Sequence, residues 1–319
     1  MKRAWALWLT AGMLLAGAAA GQEAAVAVTI NGDNYSIDGT VIRQTSSSFF
    51  GDGVLRIAVV TCIEAHHKNV QAVAEKMKPA KPDLIVVAGD TYANDLTAVR
   101  PVYPSFDADA AEMEKALRPL AALGVPVLVI PGHMEIRPVY AEAFKRLQKK
   151  GCSNVLDLNG KVADFQGVNL VGLGGYHLRE FKAASGKPMW VLPPEGFLLE
   201  KAQYEAAAAS IRQLLPQGEP VVLVTHGPPR TETSLDLVVG VGQAGDTALA
   251  ELLKALPADG PPVINVHGHL HERGGESCTA FPAGPSWNAA SVTLTKNPRA
   301  PNLLMVVVTP DGRVAAKYF

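Results

Sequence analysis

PPVINVHGHLH, residues 261–271, reads as an apolar β-strand that ends at His269 and delivers His271 just beyond it. An isolated histidine at a strand end is more often a satisfied structural residue than a metal ligand. The reading changes because the same arrangement recurs along the chain. RIAVVTC ends at Cys62, DLIVVAG precedes Asp90, VPVLVIPG precedes His133 and EPVVLVTH ends at His226, with VNLVGLGG from Val168 as a further strand. Helical periodicity fills the intervals at 69–77, 110–122, 138–149, 200–215 and 247–256. Continuous apolar strands bounded by helices predict an α/β fold whose sheet is buried on both faces. In such folds ligands collect in the loops beyond the carboxyl ends of the strands. All 8 histidines, His66, His67, His133, His177, His226, His267, His269 and His271, lie in or beside loops, and most follow a different strand.

A chain of 319 residues with 48% hydrophobic and 18% charged residues can bury a substantial core and is not expected to be disordered. Lys+Arg number 29 against 30 Asp+Glu, and the formal net charge of -1 gives no overall pull toward nucleic acid or an anionic membrane. An anionic substrate must therefore be held by a local site. Lys2 and Arg3 precede an apolar run that ends with Ala18 and Ala20 in an A-x-A arrangement. This reads as a signal peptide over residues 1–20 and predicts a periplasmic or secreted protein. A short membrane anchor is the competing reading, but the run falls short of the roughly 20 residues a span needs. No later segment looks like a transmembrane helix. Residues 21–54 predict an N-terminal β-hairpin around Gly32-Asp33-Asn34 followed by a linker, and residues 55–319 the main domain, which closes with a hairpin turned at Pro310-Asp311-Gly312. The 3 cysteines, Cys62, Cys152 and Cys278, leave at least one thiol without an intramolecular partner.

Taken in order, RIAVVTC at 56–62, VAGD at 87–90, PGHME at 131–135, VTHGPP at 224–229 and VHGHLH at 266–271 resemble the motif series of the calcineurin-like metallophosphoesterases. That family carries D-x-H, G-D, G-N-H-D/E, a lone H and G-H-x-H at corresponding strand ends. The resemblance spans residues 55–319 and implies a metallophosphoesterase-type β-sandwich flanked by helices, with the short β extension added at its N-terminus. It also implies two divalent metal ions bridged by Asp90, and hydrolysis of phosphate esters by a hydroxide held between them. Asp90, His226, His269 and His271 match ligand positions unchanged. Cys62 falls where the family has Asp, Glu64 where it has His, His133 where it has Asn, and Met134 where it has the His that contacts the phosphate. Glu135 keeps the acidic position. On this reading Cys62, Glu64, Asp90 and His271 hold one metal and Asp90, His133, His226 and His269 the other, while Asp90, His133 and Glu135 carry the chemistry.

Every substituted position is still competent to bind a cation. A cysteine in the set favours Zn over the Mn or Fe expected of carboxylate and imidazole donors. Cys62 reads equally well as a small buried residue at a strand end and Glu64 as a solvated loop charge, and a shifted register would pair Glu64 with His66 instead. Met134 has no proton to give a leaving group. His66, His67 and His177 are the alternatives, with His66 and His177 taken as substrate-binding candidates. The segment 91–109 and the loop 177–197, which carries Trp190, Pro193 and Pro194, are expected to line the mouth of the site. Two functions stand at this point: an exported metal-dependent phosphoesterase with an altered metal site, and a non-catalytic descendant that binds metal or a phosphorylated ligand. A redox or metal-handling role is a third, and it rests on Cys62 alone.

Overall fold

Short apolar runs alternate with amphipathic helices from residue 55 onward, and the alternation sorts the strands into two principal sheets. The structure, a computed structural model, describes residues 25–30, 32–46, 53–92, 106–165, 167–183, 185–290, 303–309 and 311–319. The stretch 1–20, where a signal peptide is expected, and most of the 91–109 segment lie outside these residues. In chain order the strands are β1 (Val26–Ile30), β2 (Asp33–Asp38), β3 (Val41–Gln44), β4 (Leu55–Val60), β5 (Leu84–Ala88), β6 (Val127–Ile130), β7 (Val155–Asp157), β8 (Val162–Phe165), β9 (Val168–Leu173), β10 (Glu180–Lys182) and β11 (Pro188–Val191). They continue with β12 (Val221–Thr225), β13 (Leu237–Val238), β14 (Gly242–Gln243), β15 (Val263–His267), β16 (Ser277–Phe281), β17 (Gly284–Asn288), β18 (Leu304–Val308) and β19 (Val314–Tyr318). The helices are α1 (His67–Ala80), α2 (Phe106–Ala121), α3 (Arg137–Lys149), α4 (Lys201–Leu214) and α5 (Thr247–Lys254).

A six-stranded sheet has the order β19-β18-β4-β5-β6-β7, with β4 to β7 parallel and the β18–β19 hairpin antiparallel at its edge. A nine-stranded sheet has the order β1-β2-β3-β8-β9-β12-β15-β17-β16 and is parallel from β9 through β12 and β15 to β17. Side chains alternate between the two faces of each strand, and that alternation builds the layers. Leu55, Ile57 and Val59 of β4 and Leu84 and Val86 of β5 pack in one cluster with Leu170, Val222, Val224 and Ile264 of the second sheet. Their neighbours Ala58, Val60, Ile85 and Val87 face the opposite way and bury Val73, Met113 and Val139 of α1, α2 and α3. On the far side of the nine-stranded sheet, Val221 and Leu223 pack with Tyr204 and Ile211 of α4 and Leu249 of α5. The result is the two-sheet sandwich flanked by helices that the resemblance implies. Each fully buried Val, Leu or Ile contributes about 1.5–3 kcal/mol to holding it.

The N-terminal extension has three strands where the sequence reads two. Within YSIDGTVI, residues 35–42, Asp38-Gly39-Thr40 carries a second turn with Gly39 at φ 47°, so β2 folds back on β3. β3 then pairs in parallel with β8, which makes the extension continuous with the nine-stranded sheet. Among the described residues no helix is long and apolar enough to cross a membrane.

Candidate metal centre

Several of the loops that follow the strands turn away through strained backbone. Cys62 (φ 53°), Glu64 (φ 46°), Ala65 (φ 59°), Asp90 (φ 54°) and His269 (φ 67°) all occupy the left-handed region without being glycine. Such conformations cost on the order of 1–3 kcal/mol each and persist where the surroundings over-determine them. Close approach of the loops adds a second constraint. A Cβ at Gly132 would lie 2.2 Å from Asp90 Oδ1, and one at Gly89 would lie 2.7 Å from His226 Nδ1. Glycine at these two places is what lets the loops after β5 and β6 close on each other and on His226.

The strain is concentrated around a buried group of four donors. One ligand atom each from Asp90, His133, His226 and His269 lies within 4.8 Å of the others. Asp90 Oδ2 is 2.7 Å from His133 Nδ1 and 3.1 Å from His226 Nε2, yet no donor is aligned on it as a hydrogen bond requires. His269 is equally unsatisfied, with both ring nitrogens buried and unpartnered. Buried polar atoms without partners are rare and costly. Lone pairs converging on one point are what a cation would satisfy, and one carboxylate with three imidazoles is a donor set that suits Zn, Mn or Fe. His226 is oriented from behind, its Nδ1 lying 2.9 Å from the carbonyl oxygen of Ala88, the arrangement that fixes a ligating imidazole.

Charge is distributed to match. Burial opposes ionisation of Asp90, and the His133 and His226 imidazoles more than offset it, so its carboxyl lies well below the ordinary value. Burial also works against protonation of His226, but the Asp90 carboxylate raises it to about 9. At His269 burial acts with the neighbouring His133 and His226 to hold the ring's pKa well below its ordinary value.

Glu135 does not join this group. Its carboxylate accepts the backbone N–H of Asp90 (3.1 Å), Thr91 (2.5 Å) and Gly132 (2.7 Å) and the Thr91 hydroxyl (2.7 Å). The residue that the sequence grouped with the chemistry is thus turned toward the loops, because its position beside Gly132 aims it at backbone donors. Met134 contributes its backbone N–H, donated to Asp90 Oδ1 at 3.0 Å. Cys62, Glu64 and His271 lie together on the adjoining side. His271 Nε2 is 2.9 Å from Glu64 Oε1, and Cys62 Sγ accepts the backbone N–H of His269 at 3.1 Å. Burial opposes protonation of His271, yet Cys62 and Glu64 push it up to about 11. His66 caps the start of α1, with its backbone N–H donated to Ile63. His67 pairs with Glu112 at 2.5 Å. The His177 ring packs on Tyr176, 4.6 Å between centroids, and burial lowers its pKa.

Sequence reading passed over the aromatic wall of the centre. Tyr176 lies 4.5 Å from the His269 ring and 5.9 Å from His133. Trp190 meets His269 edge-on at 4.6 Å and stacks on Phe181 at 4.3 Å. The signal available was the presence of Trp190 in the loop assigned to the mouth.

A buried carboxylate and three imidazoles gathered at the strand ends of such a sandwich are compatible with a divalent metal site. The chain belongs to the calcineurin-like phosphoesterase family, whose model matches residues 55–273. Membership carries hydrolase chemistry, metal binding and phosphate-ester substrates as family properties. The structure is similar to that of a dimetal phosphatase from Danio rerio, at 13% identity and a TM-score of 0.55, covering 84% of this chain and 100% of that one. It is also similar to the protein TT1561 of Thermus thermophilus, at 12% identity and a TM-score of 0.53, covering 83% of this chain and 99% of that one. At these identities the likeness establishes the fold. No curated protein matches the chain.

Proposed function

We propose that this protein is an exported metal-dependent phosphoric ester hydrolase with two divalent ions, one held by Asp90, His133, His226 and His269 and the other by Asp90, Cys62, Glu64 and His271, the cysteine favouring Zn over Mn or Fe. The metal site is altered from the family pattern at Cys62, Glu64, His133 and Met134. The observation that carries this reading is the convergence of four buried donors within 4.8 Å, with Asp90 Oδ2 and both His269 ring nitrogens lacking hydrogen-bond partners. A divalent cation bound there lowers the pKa of coordinated water and neutralises charge that develops on phosphoryl oxygens.

The chain's own residues set the conditions for that chemistry. Asp90 stays ionised and His269 neutral, so both are ready to ligate without first losing a proton. Glu135 fixes the Asp90 loop by three acceptor contacts and ties it to the Gly132 N–H by a fourth, and is a positioning residue. Tyr176 and Trp190 wall the centre beside His269 and keep bulk water from that side. Met134 supplies no proton, so esters whose alcohol leaves as a stable anion are the favoured substrates. Export rests on the leader at 1–20, and a mature protein whose N-terminus begins near Gly21 is the expected product.

Hydrolysis of p-nitrophenyl phosphate and bis(p-nitrophenyl) phosphate by metal-loaded protein, beside Asp90→Asn and a chelated control, tests the reading. Activity confined to the loaded parent is expected, and equal rates in parent and Asp90→Asn would sink it. The second reading, a non-catalytic binder, is favoured by the same substitutions at Cys62, Glu64 and Met134. It predicts that Cys62→Asp, Glu64→His, His133→Asn and Met134→His together create an activity the parent lacks, and strong turnover by the parent rules it out.

A further inference from the structure

Each principal sheet has two edge strands, and three of the four carry a device that discourages pairing with another chain. β16 is broken by a register shift between Cys278 and Phe281. β7 is only 3 residues long and ends in Asp157, which pairs with Lys161. β19 carries Lys317 within the strand. Short strands, bulges and edge lysines are the means by which natural sheets avoid edge-to-edge association. β1 has none of them. VAVTI at 26–30 keeps a regular register with β2, holds no charge and no proline, and is rich in β-branched residues. Among the described residues nothing pairs with its outer side.

The hydrogen bonds of β2 fix which groups of β1 are free. Asn34 turns its backbone away from β1: its N–H donates to Ser46 Oγ at 3.0 Å and its carbonyl accepts the Thr45 N–H at 2.7 Å. Thr29 lies directly opposite Asn34. The two therefore form a pair without backbone hydrogen bonds across β1 and β2, and the N–H and C=O of Thr29 point outward. Ala27, two residues along and opposite Ser36, points the same way. A two-fold axis through Val28 would set Ala27 against Thr29 of the partner subunit and Thr29 against Ala27 of the partner subunit, so every outward donor meets an acceptor. The side chains suit that pairing. Ile30 is buried and Val28 packs against the cluster between the sheets, whereas Val26 on the same face is 58% exposed. The axis brings Val26 opposite Ile30 of the partner subunit and covers it with apolar surface.

We infer that β1 is a dimerisation edge, along which two copies of this chain join antiparallel about Val28 to make one continuous sheet. The partner is a second copy because the pairing needs another uncharged strand with free outward groups and the same alternation, and β1 is the edge strand of this chain that has them. The contact is isologous, so it consumes both free edges and stops at two copies. A single strand pair is small beside the about 1,200–2,000 Å² of a standard interface, and assembly therefore depends on concentration. The inference is independent of the metal centre, none of whose donors lies on β1, β2 or β3.

Sedimentation velocity of the protein, from low micromolar to the highest soluble concentration, tests it. A monomer–dimer equilibrium is expected in the parent. Ala27→Pro removes an outward N–H that no internal bond uses, and Thr29→Lys places like charges on both sides of the axis. Each should keep the chain monomeric over the same range, with the parent's metal content and a urea midpoint close to the parent's. A parent that stays monomeric throughout overturns the inference. So does a dimer that persists undiminished in either folded variant, because pairing would then run along another surface. Should Ala27→Pro fail to fold, Thr29→Lys decides, since its side chain is exposed. None of these outcomes bears on the proposed hydrolase, which is tested by metal content and turnover.

Discussion

Glu135 carries much of the burden of shaping the centre without facing it. Burial and the nearby Asp90 charge raise its pKa, while its three N–H donors and the Thr91 hydroxyl favour the ionised form. Glu135→Gln would turn an NH2 group toward donors that have no other partner. A hydrogen bond to a charged group contributes about 1.5–3 kcal/mol, so a stability loss of that order is expected. A tenfold or greater weakening of metal affinity should accompany it, because Asp90 is held through its own N–H. Unchanged affinity in a folded Glu135→Gln protein would refute the positioning role. His267 offers a pH-dependent counterpart. It is fully buried, and burial pulls its pKa down to about 3. An unfolded histidine takes its proton near pH 6.5. Between about 6.5 and 3 the unfolded chain therefore binds more protons, and this residue's contribution to stability falls as pH drops. By pH 5 the loss amounts to about 2 kcal/mol. Urea unfolding of chelated parent and His267→Gln at pH 7 and 5 should show the parent's advantage shrinking by that amount. A gap that is the same at both pH values would mean the folded state accepts the proton.

Strands and loops differ in how well sequence discloses them. β4, β5, β6, β12 and β15 were legible because burial on both faces demands uninterrupted apolar residues, and Asp90, His133, His226 and His269 follow from where those runs stop. The third N-terminal strand was hidden because Asp38-Gly39-Thr40 interrupts what reads as one β-prone run. The direction of Glu135 was hidden because an acidic residue beside a metal motif looks the same whether it faces a cation or a row of N–H groups. Tyr176 and Trp190 come from a stretch without periodicity, where only the fold brings them to His269. The β10–β11 hairpin is the element most open to test. Phe181 and Trp190 are cross-strand partners in it and stack face to face, and both pack against the cluster of Val238, Ala244 and Leu270 beside His269. Trp190→Ala removes the wall without removing a metal donor. The KM for p-nitrophenyl phosphate should rise several-fold with a smaller change in kcat, at unaltered metal content. A fall in kcat alone would place Trp190 in support of His269 and not in substrate contact.

The sandwich as a whole assigns stability and chemistry to different edges. The candidate metal donors hang from the ends of β5, β6, β12 and β15, whereas β1, β2 and β3 sit at one end of the nine-stranded sheet. Those three strands are still part of the core: Ile30, Tyr35 and Ile42 are buried in the layer between the sheets, and Tyr35 packs edge-on against Phe165 at 6.1 Å. At about 1.5–3 kcal/mol for each buried large side chain, they contribute roughly 5–9 kcal/mol, an upper bound because the unfolded chain already buries some apolar surface. That is comparable with the whole net stability of a typical domain, about 5–15 kcal/mol. A chain beginning at Gly53 should therefore unfold at much lower denaturant and be prone to aggregate along the uncovered β8 edge. Whatever fraction stays folded should bind metal with the parent's stoichiometry, since no donor has been removed. Denaturant unfolding with metal content measured on the monomeric fraction checks both halves. An unchanged midpoint would show that the N-terminal strands are an appendage, and metal lost from folded, monomeric protein would show that the two edges are coupled.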